Sequence, residues 1–232
     1  MFRTLRPRIT FTALLALALG CGGTATDQSL SALEAELGEA TQVEGAHRYL
    51  MNDEGSLVYV LVWAAPGTSG HDHVIRATNY EGEIELDSQA PEGCVLDLIL
   101  NVEDFAVDED VMRDHVGFGD SLSEMTRSSV RSNMLSEGQL DADRFPTMTF
   151  SATGCEATDS GGLRISGDLG LHGQSQAVSF ETDLITTTEG LEATGQLRFR
   201  HSDFGITPYQ FFGYENADEI DLLLEIRAHR VD

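Results

Sequence analysis

The chain contains no lysine. All 14 basic side chains are arginines, set against 39 acidic ones, for a formal net charge of -25 at pH 7. So acidic a surface repels phosphate backbones and anionic headgroups, which excludes nucleic acid as a partner and membrane binding through a polybasic segment. The hallmarks of catalysis are missing too. There is no glycine-rich phosphate loop, no Gly-x-Ser-x-Gly elbow and no supported pairing of Cys with His, so the sequence does not read as an enzyme and implies no cofactor. No segment approaches the roughly twenty apolar residues that cross a bilayer as a helix.

What is present starts with "MFRTLRPRITFTALLALALGCGG". Arg3, Arg6 and Arg8 precede a mostly apolar run from Ile9 to Leu19, and small residues follow, which is the layout of a secretory signal peptide. The ending "ALGC" has the form of a bacterial lipobox. Residues 1–20 are then removed, Cys21 carries lipid, and the protein is an exported cell-envelope lipoprotein, facing the periplasm or on the outer membrane. Residues 21–44 are small, polar and acidic and read as a flexible tether. Residues 45–232 read as the folded domain.

Within that domain, apolar and polar residues alternate with the period of two expected of strands that have one wet face. The pattern recurs about eight times, from "SLVYVLVWA" (56–64) through "GEIELD", "CVLDLILNV" and "TMTFSA" to "EIDLLLEIRA", with turn signals between the runs. This predicts an all-β antiparallel barrel or sandwich. One stretch breaks the pattern. "GDSLSEMTRSSVRSNMLSEGQ" (119–139) predicts a single helix between strands three and four. Ser121 and Glu124 stand at capping-box spacing, Gly138 is the expected stop, and Leu122, Met125, Met134 and Leu135 are the expected apolar stripe. Such a helix could lid one end of a barrel.

"VRSNMLSEGQLDADRFPTMTF" is similar to the central signature of the YceI-like family. "RISGDLGLHGQSQAVSF" resembles the family's next block, "YLMNDEGSLVYVLV" its opening strand, and "HSDFGI" with "NADEIDLLLEI" its closing pair. The resemblance runs from about residue 48 to 228. Residues 103–126 are longer than the matching family loop, and the aromatic loop "PYQFFGYEN" (208–216) has no clear counterpart. The resemblance implies an eight-stranded antiparallel lipocalin-like β-barrel with an elongated apolar cavity. It also implies a partner: a polyisoprenoid chain, such as the tail of a quinone or a prenyl phosphate. The oligomeric state stays open, a dimer included.

The inward rows nominate the cavity wall: Leu96, Leu98, Leu100, Phe150, Phe180, Leu197, Phe199, Leu222 and Leu224. Each reads equally as ordinary core, because every barrel has apolar alternation. The alternative site is "HDH". His71 and His73 at i and i+2 share a strand face and could hold a metal, with a third ligand from His115, His172 or His201. The competing reading is two partly exposed histidines at a barrel rim. Cys94 and Cys155 are candidates for a disulfide in an exported protein. Strand order brings them together, but their faces do not match unless Gly154 sits in a bulge, so the pairing stays open here.

Overall fold

A computed structural model describes residues 45–231. The proposed signal peptide, Cys21 and the tether lie outside the described residues.

Eight antiparallel strands close into a ring. Strand β1 (His47–Asn52) pairs on one side with β4 (Glu81–Leu86) and on the other with the C-terminal part of β12 (Tyr214–Arg230). From β4 the sheet passes through β5 (Val95–Asn101), β7 (Thr147–Ala157), β8 (Leu163–Leu171), β9 (Gln174–Thr186) and β10 (Gly190–Arg200) back to β12. Three further strands, β2 (Leu57–Ala64), β3 (His73–Arg76) and β6 (Ala106–Val107), extend the wall from the remaining length of β12. Since β1 and β2 both run antiparallel to β12, they are two halves of one broken wall strand. The same holds for β3 with β4 and for β5 with β6.

The three breaks adjoin one another, and side chains bind them together. Asp53 accepts from the Asn79 N–H, Asp104 from the Asn79 side chain, and the Asp104 carbonyl from Thr78. The Tyr80 hydroxyl donates to the Ser56 carbonyl. Polar backbone released where pairing stops is thus satisfied locally, as buried backbone requires. The breaks fall outside "SLVYVLVWA", which forms the single strand β2 between β12 and β3. This strand is apolar on both faces. Val58 and Val62 face the barrel core, while Tyr59 and Leu61 join Val74 and Met112 in a second cluster outside the wall.

That outer cluster is covered by a helix the sequence pattern did not reveal. Two helices lie between β6 and β7: α1 (Asp110–Val116) and α2 (Glu124–Leu135). Helix α1 has only seven residues and ends at Gly117, whose φ of 76° supplies the left-handed cap. So short a helix leaves no readable periodicity. In α2 the N-cap is Ser123, which accepts from the Thr126 N–H, rather than Ser121. The helix stops at Leu135 through an extended Ser136, so Gly138 is not its terminator. The buried stripe also differs from expectation. Val130, Met134 and Leu135 pack on the core, whereas Met125 is 80% exposed.

One glycine is required by packing inside the wall. Gly167 pairs with Ala152 on β7, and a Cβ there would meet the Ser151 carbonyl oxygen at 2.6 Å and the Phe150 ring. The absent side chain is what leaves room for the Phe150 ring against the β7–β8 pair.

Candidate functional site

The interior of the barrel has two chambers. The first is an apolar cavity of about 90 Å³. Of the nine wall positions named from the sequence, all but Phe199 line it. The second has about 140 Å³, lies under α2, and is lined by Phe199, Ile220, Val130 and Met134 together with polar side chains. Met148 borders both, so it stands at their junction. On the same scale one water needs about 10–15 Å³, so each space is several waters in size, and an apolar cavity of this kind stays dry. The two linings share β10 from Leu191 to Phe199, about 27 Å at 3.4 Å per residue. The interior is therefore long and narrow, apolar at one end and mixed at the other.

Cys94 and Cys155 form a disulfide in the wall of the first chamber, with Cα atoms 5.9 Å apart. The register of β7 against β8 shifts between Ala152 and Gly154. That bulge turns Cys155 inward onto the same face as Ile165 and Phe180, which settles the parity that straight alternation left open.

The polar end is built around His73, His201, Asn133, Gln139, Tyr209 and Asn216. His73 is the first residue of β3, and its Nδ1 lies 2.6 Å from Asp108 Oδ2. Asp108 is fully buried just after β6 and also accepts from the Val74 N–H and from Arg113 Nη1. Burial alone would raise the Asp108 carboxyl. The hydrogen bonds from His73, Val74 and Arg113 outweigh it and hold the group below the usual carboxylate range. An ionised Asp108 keeps a proton on His73 Nδ1 and fixes the ring's orientation. Arg113, 4% exposed on α1, donates further to the carbonyls of Asp120 and Asp72, so the ion pair ties α1 to the wall beneath it. His201 sits in a 3₁₀ turn after β10, and burial lowers its pKa against the opposing pull of Asp218. Its Nδ1 lies 3.2 Å from the Asp218 carbonyl oxygen. The two chamber histidines thus each have Nδ1 anchored in the wall.

This arrangement corrects the "HDH" reading. His71 precedes β3 and is exposed, so the rule that i and i+2 share a face does not apply to it. Asp72 is used as structure, accepting from the Ala64 N–H. Of the candidate third ligands only His201 joins His73 in the chamber. His115 meets Glu225 outside the barrel, and His172 contacts the Phe204 carbonyl and the Phe145 ring. Among the described residues no group of three or more His, Cys, Asp or Glu could hold a metal ion. Asp108 and Arg113 carry no signal in the sequence. His73, Asp108 and Arg113 come from a strand, a loop and a short helix, and no spacing marks them as partners.

The YceI-like domain family matches residues 68–228. The chain belongs to the YceI-like family. This span begins after β1 and β2, so those two strands are placed by the fold alone. Among solved structures, Burkholderia cenocepacia BcnA aligns over 74% of this chain and 95% of its own, at 13% identity and a TM-score of 0.59. A Campylobacter jejuni YCEI protein aligns over 68% and 85%, at 15% identity and a TM-score of 0.52. Both share the fold of the YceI-like chain described here. No curated protein matches the sequence. Family and fold point to a barrel for hydrophobic ligands, of a kind that generally binds rather than catalyses.

Proposed function

We propose that this YceI-like protein carries a long hydrophobic chain, most simply a polyisoprenoid lipid or the tail of a quinone, in the cell envelope. It performs no chemistry on that ligand. One observation carries the reading: an apolar cavity inside the barrel neighbours a chamber that bears hydrogen-bonding side chains, with Met148 in the lining of both. An amphiphile with a long tail and a small polar head matches both ends. The tail is held by burial, at about 25 cal/mol per Å² of apolar surface removed from water. The head lies under α2 beside His73, His201 and Asn133. Delivery from and to a membrane is served by export and a lipid on Cys21, both read from the sequence.

The test is uptake. Delipidated protein is mixed with a polyprenyl quinone and separated from micelles by gel filtration, and quinone absorbance is followed through the protein peak. Near-stoichiometric co-elution supports the proposal. Protein that elutes free of quinone, and free of polyprenol in a parallel run, overturns it.

A further inference from the structure

The strand pair β11 (Gln210–Phe211) and β12 forms a hairpin whose two-residue turn is Phe212–Gly213. Both turn residues have positive φ, 44° and 87°. Turns of this kind favour Asn-Gly, and a bulky aromatic at the first position is strained. Phe212 gains nothing from the fold in return, since it is 89% exposed. Its neighbours Phe211 and Tyr214 are 56% and 46% exposed, and the Phe211 and Phe212 rings meet edge to face at 4.6 Å. The strain therefore holds an aromatic tip in solvent.

The tip is also uncharged, on a chain of net charge -25. Residues 205–214, "GITPYQFFGY", carry no ionisable acid or base other than tyrosine. A second loop without charge, residues 64–70 ("AAPGTSG"), is bonded to the hairpin: the Ser69 N–H donates to the Gly213 carbonyl and the Ala65 N–H to the Glu215 carbonyl. Together they make the tip a neutral patch on an acidic surface, bordered by Glu215, whose carboxylate accepts from the Gln210 side chain. The same hairpin borders the polar chamber, because Tyr209 and Asn216 line it. Asn133 of α2 donates to the Tyr209 hydroxyl, which links the hairpin to the lid.

The geometry points to this hairpin as a membrane-docking tip that seats the mouth of the polar chamber on a zwitterionic bilayer surface. Tyr214, with an apolar ring and a polar hydroxyl, suits the headgroup level of a bilayer, and the purely apolar Phe211 and Phe212 rings suit the acyl boundary just beneath it. Size argues against a stable protein partner. At about 200 Å² per aromatic side chain, weighted by their exposures, the three rings offer about 400 Å² in all, half of the about 800 Å² that a stable dimer takes from each partner. Charge selects the lipid, since the acidic body of the protein is repelled by an anionic surface. The inference rests on the lipid-carrying reading for its purpose, but not for its test.

The experiment uses the mature chain, residues 21–232, with Cys21→Ser, so that neither leader nor acyl anchor contributes, and compares it with the same chain carrying Phe211→Ser and Phe212→Ser. Binding to phosphatidylcholine vesicles is measured by co-sedimentation with no hydrophobic ligand added. The expected result is at least a fivefold loss of partitioning on removing the two rings, with an unchanged melting temperature. Weaker binding of the parent to vesicles containing half phosphatidylglycerol is also expected. In a Phe212→Trp variant, brominated phosphatidylcholine should quench the new tryptophan above the background from Trp63. Equal partitioning with and without the rings, or no quenching, overturns the inference. So does a ring-dependent dimer in sedimentation velocity without vesicle binding, which would assign the tip to a second copy. A protein that takes up quinone yet ignores vesicles removes the docking tip only, and the converse removes the cargo only.

Discussion

Replacing Asp108 with Asn is the sharpest probe of the polar end. The carboxylate is fully buried and serves three donors: His73, the Val74 N–H and Arg113. An amide in its place would keep an acceptor for one of them but would leave the Arg113 guanidinium, 4% exposed, without its counter-charge. Removing one partner of a buried ion pair costs about 3–5 kcal/mol. The two carbonyls that Arg113 also contacts soften this, so the expected loss is near the lower end, about 3 kcal/mol by urea unfolding at pH 7. The effect has a pH signature. The folded pKa of Asp108 lies below its unfolded value, so its contribution is complete above the unfolded value of about 3.9 and fades as pH falls through the folded pKa. The wild-type protein should thus lose stability below about pH 4 more steeply than Asp108→Asn, and the two curves should converge in acid. A second variant, Asp108→Asn with Arg113→Met, should recover part of the loss, because the orphaned charge is gone. A cost under about 1 kcal/mol, or no recovery in the double variant, would refute the claim that this ion pair is a buried support of the chamber.

Other outcomes follow from the same geometry. Reducing the Cys94–Cys155 disulfide, which closes a span of 61 residues, should lower stability by about 4 kcal/mol in the chain-entropy account, seen as a fall in melting temperature with reductant. Ala193→Leu places three more carbon atoms in the apolar cavity that Ala193 lines, so it should sharply reduce uptake of a polyprenyl quinone while changing stability by less than the roughly 1–3 kcal/mol of an overpacked core. Unchanged uptake would mean the tail lies elsewhere. Gly167→Ala should destabilise strongly, as its methyl would strike the Ser151 carbonyl and the Phe150 ring, and thermal melting would show it.

The wall of the barrel was legible because alternation is a one-dimensional signal. Where a strand buries one face, as in β8, every second residue is apolar and the inward row can be read directly. The breaks in the first three wall strands were not legible. They arise from polar contacts among Asp53, Asn79 and Asp104, which come from separate segments. Helix α1 escapes a reading by periodicity because seven residues over a small outer cluster give too little of it. The site divides in the same way. Its apolar half follows from the inward rows. Its polar half depends on a left-handed Asp108, with φ of 50°, aimed at a histidine 35 positions earlier. "HDH" drew attention to the right place for the wrong reason. His73 matters through a buried carboxylate, and His71 stays outside.

A hydrophobic chain held in the interior should survive gentle purification, and mass spectrometry of lipid extracted from protein purified under non-denaturing conditions from the cells that make it would detect it. One class of isoprenoid is expected in near-stoichiometric amount, lost together with quinone uptake when Ala193 is replaced by Leu. Protein that yields no such lipid, or yields only the bulk phospholipids of the host in proportions the Ala193→Leu variant does not alter, would contradict it.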